Sequence, residues 1–301
     1  MGSDQPRCDD GCVANILLQT TIATTPDDWD VSRFSLLADE LTGAGHRVTA
    51  RNRADRSIHD PVLSTLDESD FDQLWLIAVD VGDGLTAVEA AAIRRFREKG
   101  GGVLTARDHQ SLGSSLSRLG SLGAVNEFHD DVDDPESMRD DRDTPSISWP
   151  NYHSGANGDY QPVFCDEPVH QLLRTDKTPS GRIEWFPAHP HEGSLRVDLP
   201  HATPLAEGRS ATTGRRFPLA VLLEGEPTHH GGVMGRGLAE SSFHHFADFN
   251  WDVGRGAPSF VSEPPGSEIA SDPVRLAAFK DYVHNVVAWL QPAAVAAVGV
   301  Q

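Results

Sequence analysis

The stretch LTAVEAAAIRRFREKGGGVLTA, residues 85–106, decides the fold class. Thr86 followed three residues later by Glu89 predicts a capping box at the start of a helix. The apolar residues that follow recur at helical spacing, and Gly100 is the residue type that commonly ends a helix. The apolar segment Val103–Ala106 comes directly afterwards. The stretch therefore predicts a helix that leads straight into a buried strand.

Apolar segments upstream of this stretch extend the same alternation of strand and helix. Phe34, Leu37 and Leu41 recur at three- and four-residue spacing, which predicts a helix between the first two strands. Such β-α-β alternation predicts a mostly parallel sheet with helices on both faces, a three-layer, doubly wound, flavodoxin-like α/β fold. The predicted strands of this half are Ala14–Ile22, His46–Asn52, Leu74–Asp80 and Val103–Ala106.

The second half of the chain predicts a long polar insertion. Between residues 130 and 194 helical patterns stop, and the acidic start of this segment, Asp130–Asp143, is interpreted as a solvated loop. Asp272 followed by Pro273 predicts the start of a last helix. We find no repeat or linker and expect one domain over residues 1–301 with a flexible start at 1–13. The further predicted strands are Arg182–Ala188, Arg216–Gly225 and Arg236–Phe243.

The composition excludes several classes of partner. With 45 acidic and 25 basic residues the formal net charge is −20, which argues against binding to nucleic acid or an anionic membrane surface. The absence of an apolar run of spanning length and of a signal-peptide pattern predicts a cytoplasmic protein. Cys8, Cys12 and Cys165 fit a reducing compartment, and no second cysteine pair completes a zinc site. A homo-oligomer is left open.

The order of these elements resembles a known family. An apolar strand ending in Asp80, an LTxxE helix, a GGG turn, a strand and a polar elbow are similar to class I glutamine amidotransferase-like domains, with the ThuA-like branch nearest. The resemblance covers about residues 14–110 and 236–290. The amidotransferase elbow reads approximately GxCxGHQ, whereas TARDHQSLG places Ala106 at the nucleophilic cysteine. The resemblance therefore implies a fold without glutamine hydrolysis through a thiolate.

The resemblance also implies where a site lies. ThuA-like proteins lack the cysteine as well and often carry a polar residue at this elbow, which makes Arg107, Asp108 and His109 candidates. Ligands of open parallel sheets bind beyond the carboxyl ends of the strands, where the elbow lies. ThuA-like proteins are associated with sugar utilisation, so the resemblance implies a small, polar, carbohydrate-like substrate. A serine-hydrolase GxSxG motif does not occur in the sequence.

Fourteen histidines are unevenly distributed along the chain. Many of them fall in four polar segments, three of which follow predicted strands. A parallel sheet would bring those three segments to one edge. The four segments are RDHQ (residues 107–110), NYHSGANGDYQ (151–161), PAHPHEG (187–193) and SSFHHFADFNWD (241–252).

Imidazoles and carboxylates in such segments suit either proton transfer or metal binding. We predict catalytic roles for Asp108, His109, His189 and His244. If a divalent ion (Zn, Mn or Fe) is bound, we predict His189, His191 and His244 as its ligands; otherwise no cofactor is expected. His244 and His245 end a predicted strand, so at most one of them should reach the site. The predicted substrate-binding residues are Arg107, Gln110, Asn151, Tyr152, His153, Asp159, Glu192 and Asn250.

Two functions of different class follow from these patterns. The first is an amidotransferase-like enzyme, a hydrolase in the broad sense, that acts on a small polar, carbohydrate-like substrate. The alternative is a non-catalytic ligand-binding or interaction module that kept the fold and lost the catalytic cysteine. In either case the loop Asn151–Gln161 is predicted to form a lid or wall over the sheet edge, with Tyr152 and Tyr160 packing or stacking.

Overall fold

The computed structural model describes residues 13–54, 58–141 and 144–292. Cys8, Cys12 and almost all of the predicted flexible start lie outside these residues. Within the described residues the strands are β1 Asn15–Thr20, β2 Arg47–Arg51, β3 Gln73–Ile77, β4 Gly102–Ala106, β5 Asn126–Glu127, β6 Tyr160–Pro162, β7 Trp185–Pro187, β8 Ser194–Leu195, β9 Ala202–Arg209, β10 Arg216–Leu223 and β11 Gly237–Glu240. The α-helices there are α1 Ser35–Gly43, α2 Ala87–Glu98, α3 Ser121–Ala124, α4 Asp248–Trp251, α5 Glu268–Ser271 and α6 Pro273–Leu290.

A mostly parallel central sheet confirms the predicted fold class. Its order is β2-β1-β3-β4-β11-β10-β9, and the first five strands run parallel to one another. Strands β10 and β9 extend it in antiparallel fashion. Strand β9 was not predicted, because it contains Pro204 and its exposed residues at the sheet edge hide the alternation.

The stretch that predicted the fold forms the expected capped helix. The side chain of Thr86 accepts from the backbone N–H of Glu89, and the Glu89 carboxylate accepts from the backbone N–H of Thr86 at 2.7 Å. The same carboxylate lies 2.7 Å from buried Arg53, so the cap also ties α2 to the chain after β2. Gly100 adopts a φ of 99°, which only glycine accepts without strain. This turn links α2, which ends at Glu98, to β4, which begins at Gly102.

The two faces of the sheet bury separate layers of apolar side chains. Ile16 and Leu18 pack in one cluster with Phe279 of α6, whereas Leu17 packs in the other with Ile93 of α2. This alternation follows from the two-residue period of a strand that is covered on both faces. Among the helices of the described residues, none combines the length and apolar character needed to cross a membrane.

Three local predictions need correction. The segment Arg182–Ala188 forms only the short β7, which pairs with β6 outside the central sheet. Asp272 precedes Pro273 as expected, but its side chain makes no capping hydrogen bond and lies 3.0 Å from Arg275 instead. In the acidic segment, Asp140 and Asp141 are fully buried, so the prediction of a solvated loop is wrong for these two residues.

Candidate functional site

Adjacent parallel strands bring Asp108 and His244 together. Strands β4 and β11 are neighbours in register, with Ala106 opposite Glu240. Asp108 stands two residues beyond the end of β4, and His244 stands four residues beyond the end of β11, in a 3-10 turn at Phe243–Phe246. The carboxyl ends of parallel strands meet at one edge, so the two side chains reach the same place.

The polar insertion supplies the third member, His189, two residues after β7. Its backbone N–H donates to Ser154 Oγ, and Ser154 Oγ donates to its carbonyl, both at 2.9 Å. Farther along, the N–H of Gly193 donates to Ser241 O at 3.1 Å. A Cβ at Gly193 would lie 2.5 Å from that oxygen and 2.8 Å from Asp108 O. The insertion therefore docks directly on the ends of β4 and β11.

Asp108, His189 and His244 form a compact buried cluster. His189 Nε2 lies 3.3 Å from Asp108 Oδ1, and His244 Nε2 lies 3.5 Å from Asp108 Oδ2. The two imidazole rings stack with centroids 3.5 Å apart and planes 10° apart. One donor atom from each of the three residues lies within 4.8 Å of the others. The side chains that the sequence predicts as catalytic thus meet in space, but the set that could hold an ion includes Asp108 rather than His191.

Two asparagines fix which nitrogen of each ring faces Asp108. Asn250 Nδ2 donates to the backbone carbonyl of Ala188 at 2.8 Å and to Asn157 Oδ1 at 3.0 Å. A carbonyl only accepts, so the amide orientation of Asn250 is settled and its Oδ1 faces His244 Nδ1 at 3.2 Å. Asn157 Oδ1 likewise faces His189 Nδ1 at 3.0 Å. Both Nδ1 atoms therefore carry hydrogen, and both Nε2 atoms point at the carboxylate.

Burial and mutual proximity set the charge state of the cluster. Burial, together with the stacked ring of His244, holds the pKa of His189 well below its ordinary value. Burial alone would raise the pKa of Asp108, but the imidazoles of His189, His109 and His244 outweigh it and hold that pKa well below the usual range. The site at neutral pH therefore combines an ionised carboxylate with a neutral His189 ring.

Two further imidazoles, His109 and His191, lie beside the cluster. Their ring centroids are 5.5 Å apart, and His109 Nε2 lies 3.8 Å from Asp108 Oδ2. His191 Nδ1 lies 2.9 Å from Asn151 Oδ1, and its Nε2 lies 3.5 Å from Glu263. Burial lowers the pKa of His109 to about 4 and also lowers that of His191. The His109 side chain is 18% exposed, more than those of His189, His191 and His244, and marks the mouth of the site.

Several predicted substrate-binding residues are buried next to the cluster and form hydrogen bonds with the surrounding protein. The buried guanidinium of Arg107 donates to backbone carbonyls, including Gln110 O at 2.6 Å. Glu192 is fully buried, accepts from Gln161 and Ser241, and lies 3.0 Å from Ser154 Oγ. Both side chains are thus engaged within the protein, and their substrate-binding roles stay predictions.

The loop Asn151–Gln161 forms a wall whose residues mostly contact the protein itself. Tyr152 stacks on Phe217 with planes 9° apart, and Asp159 accepts from the backbone N–H groups of Ser267 and Glu268. In this structure Tyr152 packs and Asp159 anchors the loop, and their substrate-binding roles stay predictions. His153 is half-buried, and its buried Nδ1 finds no partner among the described residues.

Polar residues also connect the turn that follows β4, residues 107–110, to adjacent loops. Gln110 adopts a left-handed φ of 47° and donates to Ser148 Oγ at 3.0 Å. Among the non-glycine residues of this elbow that the structure describes, Gln110 rather than Ala106 has the unusual backbone. Asn151 and Asn250 contact His191 and His244 on the Nδ1 side of each ring, and their substrate-binding roles stay predictions.

His245 belongs to a second buried cluster. The 3-10 turn, rather than the predicted strand end, separates the two histidines, and His245 lies 3.1 Å from Glu240 and 3.3 Å from Glu192. Burial opposes its charge, but these two carboxylates outweigh burial and raise the pKa of His245 to about 10. Tyr282 of α6 donates to Glu240. This charged cluster fastens β11 to the last helix and to the insertion.

Sequence reasoning missed two residues of the site. Asn157 orients His189, but its sequence context, Asn157-Gly158, is an ordinary turn signal. Glu263 reaches His191 from a proline- and glycine-rich segment without secondary-structure pattern. Neither position carries a local signal that would have revealed it.

Neither a protein-family model nor a curated protein sequence matches this chain. Solved structures do. A Trypanosoma brucei CTPS glutaminase domain with bound acivicin is 13% identical with a TM-score of 0.46, over 93% of this chain and 98% of that chain. A putative GMP synthase subunit from Thermoplasma acidophilum is 9% identical with a TM-score of 0.40, over 92% and 96%. No site residue or activity is transferred from either, and the ThuA-like branch stays a prediction.

Proposed function

We propose that this chain is an enzyme that acts on a small polar molecule at the carboxyl edge of its sheet. One observation carries the proposal: four buried polar atoms of neighbouring side chains there make no hydrogen bond to the residues that the structure describes, although two of them lie 3.3 Å from each other and a third lies 3.5 Å from Glu263. They are Asp108 Oδ1, His109 Nδ1, His189 Nε2 and His191 Nε2. Buried polar atoms are almost always paired, so such a concentration is typical of a site that engages something beyond the protein itself.

The residues present favour hydrolytic or proton-transfer chemistry. Asp108 and His109 lie side by side at the mouth, with His109 the more exposed of the two, so a molecule entering there meets a carboxylate and an imidazole. Because the pKa values of both groups are lowered, both are in their proton-accepting forms at neutral pH and can act as bases toward a bound molecule. Ala106 stands where the resembling family has its nucleophilic cysteine, so we do not propose glutamine hydrolysis through a thioester. The carbohydrate-like substrate follows from the sequence resemblance alone.

A binding module is the second candidate, and the burial of the cluster favours it. Asp108 and His244 are each 2% exposed and His189 is 4% exposed, so access from solvent is narrow. A ligand would then be held mainly by residues at the mouth. This candidate predicts saturable binding without chemical change.

One experiment separates the two candidates. The purified full chain is incubated with a panel of sugars, sugar acids, polyols and simple amides, and each mixture is followed by proton NMR and by thermal shift. If the chain is an enzyme, we expect conversion of at least one compound and loss of that conversion in Asp108→Asn. The control variant His229→Ala should convert the compound as the wild type does, because the His229 side chain is exposed and lies outside the candidate site. Saturable shifts without conversion would favour the binding module. No conversion and no shift would refute both.

A further inference from the structure

We infer that Asp108, His189 and His244 bind one divalent transition-metal ion through a carboxylate oxygen and the two Nε2 atoms. This inference concerns the same site as the proposed function and deepens it. It starts from the placement of the ligand atoms. Each Nε2 lies within 3.5 Å of an oxygen of Asp108, and each ring turns its Nδ1 to the oxygen of an asparagine.

The hydrogen positions follow from a chain of donors and acceptors. The Ala188 carbonyl can only accept, so it fixes Asn250; Asn250 in turn fixes Asn157. Both asparagines present oxygen to an imidazole Nδ1, which must therefore donate. In this orientation the Nε2 atoms of both rings face the Asp108 carboxylate, so three atoms of metal-ligating type face one another. A cation placed among the three atoms would be coordinated by all of them.

A single ion suits this position, because both rings turn Nε2 toward the same carboxylate. One divalent ion satisfies both rings and the carboxylate at once. It also balances the buried charge of Asp108.

The distances fit coordination. Ligand atoms about 2.1 Å from one ion lie roughly 3.0–3.4 Å from each other in tetrahedral or octahedral geometry. The observed separations, 3.3 Å to Asp108 Oδ1 and 3.5 Å to Asp108 Oδ2, are close to this range, and all three donor atoms lie within 4.8 Å of one another. The two rings lie parallel, so they would tilt toward a common ion on binding it. The asparagines behind the rings match the usual arrangement in which a metal-bound histidine donates its other N–H to an oxygen acceptor.

The donor set selects the class of ion. Two imidazoles and one carboxylate suit Zn²⁺, Fe²⁺, Mn²⁺ or Co²⁺ better than Mg²⁺ or Ca²⁺, which prefer oxygen ligands only. Three protein ligands leave positions open for water or substrate. His109, with Nε2 3.8 Å from Asp108 Oδ2, borders the open side. An ion there would activate a bound water or polarise a substrate oxygen next to this imidazole.

The test is a Co²⁺ titration of the full chain, purified without a histidine tag and stripped with a chelator. We expect one Co²⁺ per chain with a visible ligand-field spectrum, and displacement by Zn²⁺. Asp108→Asn and His244→Gln should each weaken binding at least about tenfold, while His229→Ala, an exposed histidine, should bind as the wild type does. Absence of stoichiometric binding to the wild type, or variants that bind equally well, would overturn the inference.

A second measurement on the wild-type chain guards against variants that fail to fold. In ¹⁵N spectra of histidine-labelled protein, we expect hydrogen on Nδ1 of His189 and His244 and a large shift of both Nε2 signals when Zn²⁺ is added. Unchanged Nε2 signals would overturn the inference. Ion binding without turnover of any compound would support the metal site and contradict the proposed enzymatic function. Turnover by chelated protein that binds no ion would support the enzymatic function and contradict the metal site.

Discussion

The imidazole rings of His189 and His244 lie parallel, with centroids 3.5 Å apart, and both direct Nε2 at the carboxylate of Asp108. The two histidines are 55 positions apart in the chain and come from an insertion and from the end of a central strand. Their common orientation is imposed by Asn157 and Asn250 from behind. The relationship makes these asparagines positioning residues for whatever the cluster binds.

Replacing a positioning residue should weaken the site without unfolding the protein. Asn250→Ala removes the acceptor of His244 Nδ1 and the donor to Asn157, so His244 can change tautomer. We expect metal affinity to fall by about 10–100-fold, the usual effect of losing such a partner. Calorimetric titration measures the loss, and ¹⁵N spectra report the tautomer. Unchanged affinity together with an unchanged tautomer would show that Asn250 does not orient the ring.

The close contact at Gly193 should make that residue sensitive to a single methyl group. A Cβ there would lie 2.5 Å from the carbonyl oxygen of Ser241, so Gly193→Ala must push the insertion away from the elbow. We expect a loss of about 1–3 kcal/mol in the free energy of unfolding, as for other overpacked positions, and weaker metal binding. Chemical denaturation followed by circular dichroism measures the first effect.

The matched control for this substitution is Gly43→Ala. Gly43 is exposed in α1, and a Cβ there meets nothing within 4 Å. Alanine favours the helix, so stability should be unchanged or rise by about 1 kcal/mol. Equal destabilisation by the two substitutions would contradict the close-approach explanation.

The fold could be predicted from the sequence where hydrophobic periodicity and capping residues indicated the same secondary-structure element. Thr86, Glu89 and Gly100 determine α2 through local hydrogen bonds and backbone freedom, which sequence reports directly. Strand β9 and the short pairing of β7 depend on long-range contacts and on proline positions at sheet edges, so local pattern misjudged them.

The site could be predicted only in part, because part of it also depends on long-range contacts. Asp108, His189 and His244 follow strands or strand-like segments, so topology predicted their meeting. The orienting residue Asn157 looks like a turn residue, and Glu192 looks like an exposed acid, yet it is buried among hydrogen-bond donors. Which polar residues face the site and which stand behind it depends on the docking of the insertion, which leaves no local pattern.

The buried cluster around Glu240 should tolerate loss of a hydroxyl poorly. Tyr282 donates to Glu240, and burial holds the pKa of Tyr282 well above its ordinary value, so the hydroxyl stays protonated. Tyr282→Phe leaves a buried carboxylate with one donor fewer and should cost about 1–3 kcal/mol of unfolding free energy. Tyr152→Phe is the control, because the Tyr152 hydroxyl has no hydrogen bond to the described residues. A smaller loss in Tyr282→Phe than in the control would contradict this account.

Asp60 should make stability depend on acidic pH. Burial alone would raise its pKa, but hydrogen bonds from Arg51 and from backbone N–H groups outweigh burial and lower it to about 2. Because the folded pKa lies below the unfolded value, the contribution is fully present above about pH 4 and is lost as pH falls through 2. Asp60→Asn should cost about 1–2 kcal/mol at pH 7 and flatten the decline between pH 4 and 2. Denaturation curves over this pH range measure both, and an unchanged pH profile would contradict the assignment.

The central claim is that Asp108, His189 and His244 together bind a metal ion, and X-ray absorption at the zinc edge tests it most directly. For the wild-type chain loaded with one equivalent of Zn²⁺, we predict two imidazole nitrogens and at least one oxygen at about 2.0–2.2 Å, with the oxygen and nitrogen shell altered in Asp108→Asn. A first shell without imidazole, or one identical in wild type and Asp108→Asn, would contradict the claim.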